Sequence, residues 1–287
     1  MAVARASCLY CGAALPEDLA QAVAVAATAR QGEPEPGAAA TRALLVLDLE
    51  EVVPERLARA LALTDLEARL WVTQGGFRLQ RLGPPAEVQA EAERLRGGGV
   101  RVEVLAEAEV RAALPPRLAR GGRPHAGGLE LELAGGVERV GPEQVLLLVE
   151  GPIAREYQTQ QDLRRVRTAS LAPGYRLHLH LRDGPQPLEL DPGGFDFGGP
   201  RATRRSTLLE LQAWLAPLRA RAPSDDSFQR ALPALGPSEP SQAGPLSAAN
   251  ALRAHLAEDG QALVLDNLAQ FRFFSAWRGV LQRRRAR

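Results

Sequence analysis

The chain has 287 residues, 45% of them apolar and 24% charged, with a formal net charge of +1, which excludes wholesale disorder and a surface built mainly to coat nucleic acid or an anionic membrane. All 35 basic residues are arginine, so no lysine Schiff base, phosphate-loop lysine or serine–lysine dyad can operate in it. No apolar run is long enough to span a bilayer and the first residues lack the apolar stretch of a signal peptide, so a cytoplasmic protein with no membrane partner is expected.

In chain order, the first signal is Cys8-Leu9-Tyr10-Cys11-Gly12. Two thiolates at this spacing can share one tetrahedral metal, and the glycine allows the turn that aims backbone amides at the sulfurs. Pro16-Glu17-Asp18 opens a short alanine-rich helix, so residues 1–30 read as a zinc-knuckle-like segment and helix. Residues 31–42, a Gly/Pro/Ala mixture without period, read as a linker. Residues 43–110 read as a small β-α-α-β-α-β domain. Its strands lie at 43–49, 77–82 and 100–104; its helices start at Pro54, at the Thr64/Glu67 capping box and at Pro84-Pro85. The expected core is Leu45, Leu47, Leu57, Leu61, Leu70, Leu79, Val88, Leu95, Val102 and Val104.

Residues 111–127 read as a second linker. Residues 128–222 then carry seven strand signals at hairpin spacing, at 129–133, 137–140, 145–149, 153–160, 166–169, 175–182 and 188–190. They close with a helix over 206–219 whose apolar stripe is Leu208, Leu211, Trp214, Leu215 and Leu218. Residues 223–246 form a Pro/Ser-rich linker, and 247–287 a C-terminal helical segment that starts at a Ser247 cap and leaves 261–265 ambiguous. The expected fold class is α+β and multi-domain: a cysteine knuckle, the β-α-α-β-α-β domain, and an antiparallel β-sandwich or barrel with a C-terminal helix.

Few residues carry candidate chemistry. Cys8 and Cys11 can bind Zn, completed by a second chain, a distant histidine or water; they can also be a degenerate knuckle kept for packing, or a redox pair. His178 and His180 alternate with Leu177, Leu179 and Leu181, which points both imidazoles to one face; they are metal candidates, but the leucines read as the buried face and the histidines as the wet one. Gly194 to Gly199 has phosphate-loop spacing, yet Pro200-Arg201 replaces the residues that would contact phosphate, so Phe195 and Phe197 read as core anchors. Asp225-Asp226 reads as a solvated turn. Phe271, Phe273, Phe274 and Trp277 either dock as a core or form an interaction surface together with Arg283, Arg284 and Arg285.

Three resemblances accompany these residues. Cys8 to Pro16 resembles the first knuckle of bacterial zinc-ribbon proteins, which implies Zn at Cys8 and Cys11. Residues 43–105 resemble, in element order, the fold shared by the C-terminal domain of the ribosomal stalk protein and the Clp protease adaptor. The stalk domain's factor-binding surface is rich in lysine and glycine, where this chain has Thr64-Asp65-Leu66-Glu67-Ala68-Arg69. Residues 129–220 resemble a pleckstrin-homology-type domain, with Ala134-Gly135-Gly136 in place of the basic loop that phosphoinositide-binding members use. The expected function is therefore a non-catalytic interaction or adaptor protein with a structural zinc knuckle, an unknown protein partner, and a homodimer if the zinc site is shared. A ribosome- or nucleic-acid-associated factor is the alternative, and a metal-dependent or redox enzyme using Cys8 and Cys11 the further one.

Overall fold

A computed structural model describes residues 42–125, 127–162, 165–170, 174–198, 207–232, 235, 240–241 and 262–286. Strand β1 (Ala43–Asp48) is buried along its whole length because both of its faces are covered. It pairs antiparallel with β2 (Phe77–Gly83) and with β3 (Arg101–Ala106). On one face Ala43, Leu45 and Leu47 meet helices α1 (Pro54–Leu61), α2 (Asp65–Gln74) and α3 (Pro85–Gly97) through Leu57, Ala68, Val88 and Leu95. On the other, Leu44 and Val46 enter a second core. The helices start where local chemistry directs them. Proline stands in the first turn of α1 and α3, and at α2 the Glu67 carboxylate accepts from the Thr64 N–H while Thr64 Oγ1 accepts from the Glu67 N–H. Leu70 departs from the expected core and is 51% exposed. α2 docks through Ala68, with Trp71 and Val72 partly buried, which turns Leu66 and Leu70 outward.

The stretch read as a second linker is instead regular structure. After the short helix α4 (Glu107–Arg111) come β4 (Arg117–Ala119) and β5 (Gly121–His125). Its glycines serve close strand approach and not flexibility: a Cβ on Gly122 would collide with the Glu130 carbonyl of β6 (Gly128–Leu133). β5, β6 and β7 (Gly136–Val140) form a three-stranded antiparallel sheet.

The larger sheet has the order β13-β8-β11-β12-β4, with β8 (Val145–Ile153), β11 (Gly174–Leu181), β12 (Leu188–Leu190) and β13 (Ser224–Asp225). β11 is antiparallel to β8 and β12, but β4 and β13 join in parallel, so the sheet is mixed and not the antiparallel one expected. A fourth sheet, β10-β9-β15-β14, contains β9 (Arg155–Asp162), β10 (Arg165–Ser170), β14 (Pro240–Ser241) and β15 (Ala262–Asp266). The ambiguous residues 261–265 thus fall largely in a strand, inserted beside β9. The helix expected from Ser247 lies outside the described residues.

Two helices complete the cores. α5 (Thr207–Arg219) packs Leu211, Leu215 and Leu218 on the face of the large sheet that shows Leu148, Leu177 and Leu179, and Trp214 meets Phe197 edge-on at 4.9 Å. α6 (Phe228–Ala231) and α7 (Leu268–Arg285) cover the opposite face through Leu147, Val149 and Ile153. The same core includes Leu44, Val46, Leu79 and Leu105 of the first sheet. α7 therefore closes one face of the β1 sheet and one face of the large sheet, and the regions read as separate modules from Arg42 onward belong to one compact unit, Arg42–Arg287. The architecture is α+β, with several sheets.

Candidate functional site

Chemistry-bearing side chains converge where α7 crosses β11 and β12. Period-2 alternation sends Leu177, Leu179 and Leu181 of β11 toward α5 and Arg176, His178 and His180 to the opposite face. That second face is not wet, contrary to the expectation, because α7 lies over it: His178, His180 and Ser275 are 0% exposed. β12 sets Glu189 directly across from His178, and Glu189 is only 2% exposed. α7 contributes Arg272, Ser275 and Gly279 at helical spacing. Gly279 permits the close crossing, since a Cβ there would overlap His180 Nδ1.

The hydrogen bonds form one connected chain. Arg272 donates through Nε and Nη2 to the two Glu189 oxygens at 2.7 and 2.8 Å. His178 Nε2 lies 3.0 Å from Glu189 Oε2, and His178 Nδ1 lies 2.8 Å from Ser275 Oγ. His180 Nε2 reaches the same Oγ at 2.8 Å. Arg176 pairs with Asp191 at 2.7 Å and stands 3.6 Å from Glu189.

These contacts determine the protons. Burial pushes the Glu189 carboxyl up, but Arg272 and His178 together outweigh it and hold the group at about 2, so the carboxylate only accepts. His178 Nε2 must then carry a proton and donate to it, which leaves Nδ1 as an acceptor for the Ser275 hydroxyl. Having donated to His178, Ser275 Oγ accepts from His180 Nε2–H. His180 Nδ1 ends the chain as a bare lone pair, and it is a buried atom without a hydrogen-bond partner. Both rings are neutral in this scheme. Burial lowers the His178 pKa, with Glu189 opposing, and holds His180 well below its ordinary value, with His178 and Arg283 adding to the effect. The local charges balance without a histidine proton, two guanidiniums against the Glu189 and Asp191 carboxylates.

Ser275, His178 and Glu189 have the connectivity of a nucleophile, a base and an orienting acid. The access that such a site needs is missing: Ser275 is sealed between two histidines under α7. Among the described residues no group of three His, Cys, Asp or Glu side chains could hold a metal ion, and Glu189 is already occupied by Arg272. Cys8 and Cys11 lie outside the described residues.

Most of the remaining sequence candidates lie on α7 or against it. Phe271, Phe274 and Trp277 are fully buried and Phe273 partly so, which places them in a core where a surface was the alternative expectation. The basic residues are held within the chain as well. Arg283 donates to the carbonyls of Gly184 and Pro185, Arg284 pairs with Glu109 and Arg285 with Asp48 and Glu50. Asp225, expected in a solvated turn, is buried against Arg278. Phe195 and Phe197 are core residues. Sequence reasoning missed Glu189, Ser275 and Arg272. The signal for Ser275 was its place four residues before Gly279 on one helix, small residues spaced for a close crossing.

Compared with protein-family models, curated proteins and solved structures, the chain matches none.

Proposed function

We infer that the chain acts through protein contacts and performs no catalysis at the Ser275–His178–Glu189 constellation, whose polar groups tie α7 to the sheet. The observation that carries this reading is the complete burial of Ser275, His178 and His180, which leaves no room for a substrate beside the hydroxyl. The sealed imidazoles and the saturated carboxylate support the same view, because a working base must pass its proton on to solvent or substrate. In this reading Cys8 and Cys11 form a structural zinc knuckle, tested by Zn content that disappears in the Cys8→Ser/Cys11→Ser variant. No helix among the described residues is long and apolar enough to cross a membrane, and Arg284 and Arg285 are spent on internal pairs, which weighs against nucleic acid as the partner.

A serine-directed fluorophosphonate probe tests the reading on the intact chain. The expected result is no labelling of the folded protein above that of Ser275→Ala. Stoichiometric labelling confined to Ser275 would overturn it.

A further inference from the structure

Arg78 carries a charge that the chain does not answer. It belongs to β2, an edge strand of the β1 sheet, and is half-buried. Its guanidinium carbon lies 3.6 Å from the centre of the Trp71 ring on α2. Burial alone lowers its pKa, with no carboxylate opposing the shift, and no hydrogen bond or ion pair reaches it among the described residues. Taking a cation out of water without a partner costs stability. Arg176 and Arg278, which are more deeply placed, each hold a carboxylate.

Arg78 lines a small pocket of about 40 Å³ between the end of α2, β2 and α6. Arg230 of α6 lines it as well. The one acid paired with Arg230 among the described residues is Asp226, at 4.0 Å with both groups exposed, a contact worth little. Leu49, Phe77 and Leu79 make the apolar part of the wall. The other polar groups are already committed. Ser227 Oγ donates to Asp225 at 2.6 Å, the second Asp225 oxygen is held by Arg278, and the Gly75 N–H donates to the Trp71 and Val72 carbonyls. Two guanidiniums and the exposed Gln74 amide remain to meet a ligand.

That set fits one kind of group. A water needs roughly 10–15 Å³ of such space, so one carboxylate fills the pocket. Trp71 covers a face of the Arg78 guanidinium, which leaves the N–H groups at its edge as a fork that matches two carboxylate oxygens. A phosphate would bring a second charge and a third oxygen, for which few donors are left. We propose that the pocket at Arg78 and Arg230 binds a carboxylate with a short apolar stem, clamped by Arg78, neutralised in part by Arg230, and resting its stem on Leu49 and Phe77. The pocket shares no residue with the Ser275 network, so the fluorophosphonate result does not bear on it.

The test titrates the full chain with sodium propionate at constant ionic strength and follows the Arg78 Nε–H by NMR, assigned by its loss in Arg78→Lys. Propionate should shift this resonance saturably, with half-saturation below about 50 mM, whereas sodium chloride and propionamide should not. Arg230→Gln, an exposed position, should weaken binding by about fivefold or more without changing thermal melting. Arg78→Lys keeps the charge but loses the fork, and should abolish the protection that propionate gives against thermal unfolding. An acetylated alanyl-alanyl-valine peptide with a free terminus that binds more tightly than propionate, and loses binding when amidated, would assign the site to the end of a peptide chain; equal affinity would assign it to a small free acid. A response that chloride reproduces, tighter binding of inorganic phosphate than of propionate, or binding unchanged in Arg230→Gln overturns the proposal.

Discussion

The α7 crossing and the β4–β7 cleft invert the usual rule in opposite directions. Under α7, two histidines, a serine, a glutamate and Arg176 are kept from water, with the half-buried Arg272 at their rim, and they are tolerated because nearly every donor finds an acceptor and the charges balance. At the cleft between β4 and β7, Leu118 and Val137 face water. Polarity by itself therefore does not mark a working surface in this chain. The polar cluster is finished and closed, whereas the apolar one is unfinished and open.

Substitutions can break or sharpen that contrast. The largest expected effect is at Trp277, fully buried and edge-on to Phe274 at 5.2 Å: Trp277→Ala should cost about 3–5 kcal/mol in denaturant unfolding. Gly279→Ala should follow. Alanine gains roughly 1 kcal/mol in helix propensity, but its methyl would overlap His180, and overpacking of about 1–3 kcal/mol should make the net change destabilising. A stabilised Gly279→Ala would show that α7 does not sit against β11. Ser275→Ala should cost about 1–3 kcal/mol, since it strands the His180 Nε2–H and the His178 Nδ1 lone pair. In the open cleft, Val137→Asp should change stability by no more than about 0.5 kcal/mol; a loss comparable with that of Ser275→Ala would remove the contrast.

Acid supplies a different perturbation of the same network. Both histidines titrate below their ordinary value of 6.5 when folded, so the unfolded chain binds more protons and stability falls as pH drops below 6.5. Glu189, held at about 2 against an ordinary 4.5, contributes stability that is present above 4.5 and lost as pH falls toward 2. Both act in one direction. The melting temperature should already decline between about pH 7 and about pH 5.5, and the slope should flatten in a His178→Gln/His180→Gln variant. A melt that is flat across this window would contradict neutral buried rings.

Much of the fold was legible because its signals are local. The Thr64/Glu67 box, the prolines of α1 and α3, and the strand runs at hairpin spacing from β6 to β12 each fix an element within a few residues. What a strand faces is not local. His178 and His180 read as wet by alternation alone, and only a helix nearly a hundred residues later makes that face dry. Residues 111–127 read as a linker because Gly and Pro mark both loose chain and tight strand approach, and the Gly122 contact with Glu130 decides between them. Leu70 failed for a related reason, since a short helix docked by one alanine leaves its leucines outside.

The most direct measurement is the nitrogen NMR of the histidine side chains, of which the chain has four, assigned with His178→Gln and His180→Gln. Both buried rings should be neutral at about pH 7, protonated at Nε2 and bare at Nδ1, and both should titrate below the ordinary 6.5, His180 well below it. A titration of either ring near 6.5, or a proton on His180 Nδ1, would show that the network is open to solvent and would return Ser275 to the list of candidate nucleophiles.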